Sequence, residues 1–190
     1  MPMPSSDKRR YASAHRVAID AGLLAAALML AYLEHLIPFG TFLIPGLKPG
    51  FANIVTVLAF SMLSPIDALT VSLLRVCING VLFGSWTSFL FSFSGACLAF
   101  LALLLARALL RRCSYIGVSV LCAAAHNLGQ ALAVAGLMLL PSGNAGSMLV
   151  AAWLLPFLFP FAILCGTLTG LILNLLVPRL ERSLRTWKNA

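Results

Sequence analysis

The stretch Ile66-Asp-Ala-Leu-Thr-Val-Ser-Leu-Leu-Arg75-Val-Cys-Ile-Asn-Gly-Val-Leu-Phe83 reads as an apolar helix with an arginine at its middle. A charge at the centre of a bilayer helix costs at least ~2.5 kcal/mol on insertion scales, so such a residue faces a bundle interior and marks a site. Asn79 stands four residues after Arg75 and shares its helix face. The rest of the chain is equally membrane-like: 61% of its 190 residues are hydrophobic and 9% are charged. Its mean hydropathy is +1.01.

Outward from that stretch, apolar windows near the length of a bilayer span recur at Val17–Ile37, Phe51–Leu63, Ile66–Phe83, Trp86–Leu110, Tyr115–Leu140 and Met148–Val177. They predict an all-α integral membrane fold, a six-helix transmembrane bundle over residues 17–178 with basic tails at 1–16 and 179–190. The second window is short, and Pro45 to Gly50 could extend it. Net charge is +8, yet eleven of the thirteen basic residues fall on one side of such a bundle. Lys8, Arg9, Arg10 and Arg16 precede helix one, Arg107, Arg111 and Arg112 follow helix four, and Arg179, Arg182, Arg185 and Lys188 follow helix six. The positive-inside rule then puts both termini in the cytoplasm and makes the charge a topology signal, with no case for nucleic acid. The first apolar window is too long for a signal peptide and should be retained.

Between helices one and two, residues 38–50 are rich in Pro and Gly yet strongly apolar, which predicts a segment packed back on the bundle as an extracytoplasmic gate. Helix one carries small residues at Ala18, Gly22 and Ala26 and again at Ala21 and Ala25, and helix six carries Gly166 and Gly170. Such spacing lets helices approach closely, either within the bundle or against a second membrane protein. Cys77, Cys97, Cys113, Cys122 and Cys165 form no CxxC pair and read as packing residues. No Asp-rich Mg²⁺ motif, P-loop, HExxH or GxSxG is present, so neither an enzyme nor a metal or cofactor site is expected.

The remaining polar residues cluster at similar depth. Arg75 and Asn79 lie on helix three, and His126, Asn127 and Gln130 on helix five. Asn53 opens helix two near Lys48, Glu34 and His35 close helix one, and Asp67 reads as the cap of helix three. The inner half has little comparable beyond Asn174. Structural alternatives exist for each: an Arg75–Glu34 ion pair, a satisfied core His126, interhelical amide bonds, a snorkelling Lys48. Taken together, two or three cations against one carboxylate predict a pocket for an anionic ligand, which an arginine fork can hold bidentately. Phe39, Phe42, Trp86, Phe89 and Trp153 are expected as walls for an apolar ligand body.

Three motifs carry a family resemblance: Pro45-Gly-Leu-Lys-Pro-Gly-Phe-Ala-Asn-Ile54, Leu73-Leu-Arg-Val76 with Phe83-Gly84, and Gly117-Val-Ser-Val120 with His126-Asn-Leu-Gly-Gln130. They resemble the bacterial heptaprenyl diphosphate synthase component I family, also named the Gx transporter family, over residues 17 to 178. The family commonly has Leu at the position of Pro49. It is similar to the substrate-binding (S) components of energy-coupling factor (ECF) transporters. That resemblance implies a plasma-membrane subunit that binds a small metabolite and topples in the bilayer to release it. Its implied partners are a transmembrane coupling protein and ABC-type ATPases, with the small-residue face of helix one as docking surface. The synthase name implies instead an accessory membrane subunit in heptaprenyl diphosphate or menaquinone side-chain synthesis.

Overall fold

A computed structural model describes residues 5–36, 50–83, 86–109, 113–142 and 146–188, all of the regular structure among them helical. The six helices are α1 (Ser5–Leu36), α2 (Asn53–Met62), α3 (Pro65–Phe83), α4 (Trp86–Leu109), α5 (Tyr115–Ser142) and α6 (Gly146–Lys188). Five contain stretches long and apolar enough to cross a membrane, and α2 is the exception. At 10 residues it is about 15 Å long, half of a hydrocarbon core. The basic segments that the sequence sets apart as tails continue α1 and α6 as helix: α1 starts at Ser5 and α6 runs through Pro178 to Lys188.

The side chains are sorted inside out relative to a soluble protein. Val81, 86% exposed, Ile66, Leu74 and Leu82 line the outer face of α3, whereas Ser72 and Arg75 are buried on its inner face. Apolar side chains outward and polar ones inward is the arrangement a lipid solvent selects. Helix α2 is buried from Asn53 to Phe60, as expected of a helix that is apolar all round. It touches each of the other five helices, and around it α1, α3, α4, α5 and α6 pack in that order. The main core therefore surrounds α2, where Ile54, Val57, Leu58 and Phe60 meet Ala99, Phe100, Leu103, Cys122, Leu173 and Val177. Phe60 and Phe100 meet edge to face with centroids 6.4 Å apart.

Two kinds of joint hold the ring. At the α5–α6 crossing a Cβ on Gly166 would stand 2.5 Å from the Val120 Cα, and one on Gly170 would collide with the Ile116 Cα. At the α4–α5 crossing a Cβ on Gly129 would stand 2.6 Å from the Ser94 carbonyl oxygen, and Ser94 Oγ donates to the Gly129 carbonyl at 2.8 Å. These glycines let backbones touch, and helix six spends its small residues on internal packing. Helix one does the opposite. Ala18, Ala21, Gly22, Ala25 and Ala26 are all exposed, nothing lies within 4 Å of a Cβ placed on Gly22, and the Ala14–Glu34 span is the least buried of the five.

The start of α3 joins α1 through polar contacts. Ser64 Oγ accepts from the Asp67 N–H at 3.3 Å and donates to Asp67 Oδ2 at 2.8 Å. Ser64 is thus the N-cap, with Pro65 in the first turn and Asp67 completing a capping box. This refines the expectation that Asp67 itself is the cap. Arg16 Nη2 donates to Asp67 Oδ2 at 2.6 Å and to Ser64 Oγ at 2.9 Å, while its Nε donates to both carboxylate oxygens.

Candidate functional site

Arg75 stands about 15 Å along α3 from Pro65, near the middle of the bundle. The helix places it there because Ala68, Val71, Ser72 and Val76 form the same buried stripe. Its side chain is 5% exposed, and among the described residues neither its Nε nor its Nη2 has a hydrogen-bond partner. The Glu34 carboxylate lies within Coulombic reach of it. A buried guanidinium nitrogen without a hydrogen bond is costly, and an ionisable residue inside a membrane helix marks a candidate site.

Glu34 is engaged at the start of α2. It is buried, and its Oε1 accepts from the backbone N–H of Ala52 at 3.1 Å. The next amides turn back on the chain, Asn53 N–H to the Gly50 carbonyl and Ile54 N–H to the Phe51 carbonyl, both at 2.9 Å. A carboxylate at a helix N-terminus is favoured by the exposed amide dipoles, so Glu34 has a structural task apart from Arg75. The turn depends on Gly50, whose φ of +79° favours glycine. A Cβ there would stand 3.2 Å from Asn53 Nδ2 and 3.7 Å from His126 Cδ2.

That geometry brings Asn53 of α2 beside His126 of α5. A Cβ on Gly95 would come within 2.7 Å of His126 Cε1, so the ring packs against the α4 backbone where only a glycine leaves room. Gln130 Nε2 stands 3.1 Å from His126 Nε2. Which of the two donates depends on the tautomer of the ring. A polar band thus runs from Arg75 past Glu34, Ala52 and Asn53 to His126 and Gln130. Among the described residues, Asn53 Nδ2 and Gln130 Oε1 in it, and Asn79 Oδ1 on the Arg75 face of α3, are buried without hydrogen-bond partners. Together with the guanidinium they give the interior both donors and acceptors for a ligand.

Not every expected residue joins this band. Asn127 turns the other way and donates to the Leu158 carbonyl of α6 at 3.1 Å, an interhelical clamp. Trp86, expected as a pocket wall, is 72% exposed and stacks on Phe89 with centroids 5.6 Å apart. Phe89 in turn lies on Gly80, so this aromatic pair belongs to the outer surface. Lys48, Phe39, Phe42 and the gate at residues 38–49 lie outside the described residues, as do the side chains of His35 and Trp153. Ser119 was not singled out in the sequence. Its buried Oγ has no partner, and with Asn53, Cys122, Cys165 and Thr169 it lines a cavity of about 10 Å³ between α2, α5 and α6. That is room for about one water molecule, with two bare polar atoms to hold it. The spacing Ser119, Ala123, His126, Gln130 is a helical stripe and was the available signal.

The model of the family described as heptaprenyl diphosphate synthase component I matches residues 23–176. The chain belongs to that family. The matched segment of this heptaprenyl diphosphate synthase component I chain takes in Arg75, Asn79, Asn53, Glu34, His126, Gln130 and the whole of the buried polar band. No curated protein and no solved structure matches the chain.

Proposed function

We propose that the chain is the membrane-embedded substrate-binding subunit of an ECF-type importer for a small anionic metabolite. The observation that carries the reading is the Arg75 guanidinium, buried at mid-bundle with Nε and Nη2 unbonded among the described residues while Glu34 accepts from the α2 N-terminus. In this reading Arg75 holds the anion, and Asn53, Asn79 and Gln130 add neutral hydrogen bonds beside His126. Lys48 and residues 38–50 close the site. The chain crosses a bacterial plasma membrane six times with both termini cytoplasmic, α2 and the residues before it sharing one crossing. It binds rather than transforms its ligand. The exposed small-residue face of α1, Ala18, Ala21, Gly22, Ala25 and Ala26, docks a transmembrane coupling protein that works with ABC-type ATPases. What supports this surface is that α6 uses its glycines internally whereas α1 leaves its own uncovered.

A second reading is favoured by the family description itself: an accessory membrane subunit in heptaprenyl diphosphate or menaquinone side-chain synthesis. A diphosphate is also an anion that Arg75 could hold. The two readings part on partners. Gentle purification of the tagged chain from its native membrane retains a coupling protein and ATPases in the first case, and a soluble prenyltransferase in the second. Ligand binding is tested by thermal unfolding of the purified protein against a panel of small carboxylates and phosphates. At least one should stabilise the wild type and fail to stabilise Arg75→Gln. The binding reading is lost if no anion stabilises the wild type and Arg75→Ala leaves uptake unchanged.

A further inference from the structure

A second cavity lies at the other end of the bundle, on the side of Arg16 and the chain termini. Its volume is about 480 Å³, and it is lined by Val57, Phe60 and Ser61 of α2, Leu103, Ala106 and Arg107 of α4, and Cys113, Tyr115 and Val118 at and before the start of α5. It exists because α2 is short: the helix ends at Met62 while α4 continues to Leu109. The size falls in the range of about 300–1,000 Å³ typical of small-molecule sites. None of these residues belongs to the Arg75 band.

The lining is divided by chemistry. Arg107 is held in place by a ring, its guanidinium carbon 5.2 Å from the Phe60 centroid. Ser61, Arg107 and Cys113 are exposed and form the rim, whereas Val57, Phe60, Leu103 and Ala106 are buried and form the floor. Ser61 Oγ donates to the Val57 carbonyl at 2.8 Å, so Arg107 is the charged donor among the described lining residues. A positioned cation at the mouth and an apolar floor suit one class of ligand. We infer that this cavity binds the phosphate end of an amphiphile, with the phosphate on Arg107 and the first part of the hydrocarbon chain against Phe60, Leu103 and Ala106. A phospholipid and a polyprenyl phosphate both carry that chemistry.

The test uses the full-length protein, delipidated in detergent, in native mass spectrometry titrations with dioleoyl phosphatidylglycerol, farnesyl diphosphate and inorganic phosphate. Two variants are compared with the wild type. Arg107→Gln removes the cation, and Ser61→Trp fills the cavity while keeping it. At least one amphiphile should bind the wild type about tenfold more tightly than either variant, with Arg75→Gln binding like the wild type. Which amphiphile shows the effect assigns the source as lipid or prenyl phosphate. The inference is overturned if inorganic phosphate binds as tightly as the amphiphiles, or if both variants bind them like the wild type. Loss of binding in Arg75→Gln but not in Arg107→Gln overturns it as well, because it moves the ligand to the other end.

Discussion

Arg16 and Arg75 are both carried by apolar helices, and the bundle surrounds them in opposite ways. Arg16, 53% exposed, has its Nε and Nη2 on Asp67 and Ser64. Arg75 is buried, and the same two nitrogens have no partner among the described residues. If arginines in this chain served packing alone, the buried one would be the better paired, since burial raises the cost of a bare charge. The reverse is observed. Arg16 fastens α1 to the start of α3, and the proposed function gives Arg75 the other task, holding a negative group that comes from outside the chain.

The contrast can be broken by substitution. Arg75→Gln should weaken the anion found by thermal screening by about 100-fold or more, because hydrogen bonds to charged groups are worth about 1.5–3 kcal/mol each and two are lost. Calorimetric titration measures this, and an unchanged affinity would put the ligand elsewhere. Asp67→Asn should do the converse: the unfolding midpoint falls by a few degrees while anion affinity stays at the wild-type level. Glu34→Gln separates the two possible duties of that carboxylate. As the group that receives the Ala52 amide, it should cost about 1 kcal/mol in denaturant unfolding. As the counter-ion of Arg75 it should cost about 3–5 kcal/mol, because a buried charge would be stranded. The smallest effect is expected from Asn127→Ala, about 0.6 kcal/mol of stability for one interhelical hydrogen bond, with no change in anion affinity.

Most of this architecture could be read from the chain. Lipid imposes strong rules, so the helices, the inward Arg75 and the apolar faces of α3 follow from hydropathy and period alone. The predicted boundaries of α3 and α4 agree with the structure to within a residue. What escaped depends on where helices meet. Nothing in the spacing of Ala18, Gly22 and Ala26 distinguishes it from that of Gly166 and Gly170, yet the first set is exposed and the second packs on α5. Asn127 and His126 are neighbours in the chain, and one helical step of about 100° sends them to different partners, Leu158 and Gln130. Glu34 read as a possible mate for Arg75 from charge alone, and its contact with the Ala52 amide could not be read from the spacing. The short α2 was legible as the window Phe51–Leu63 and stands as Asn53–Met62, but that its first amides meet Glu34 depends on how the helices pack.

The most direct measurement is the stability of ligand-free Arg75→Met beside that of the wild type, in the same detergent and with the stabilising anion added to each. Removing a bare buried charge should leave the ligand-free protein as stable as before or more stable by about 1–4 kcal/mol. The anion-induced rise in unfolding temperature should disappear at the same time. A ligand-free Arg75→Met protein that unfolds earlier than the wild type, from a wild type that no anion stabilises, would contradict the account and make Arg75 a second structural arginine like Arg16.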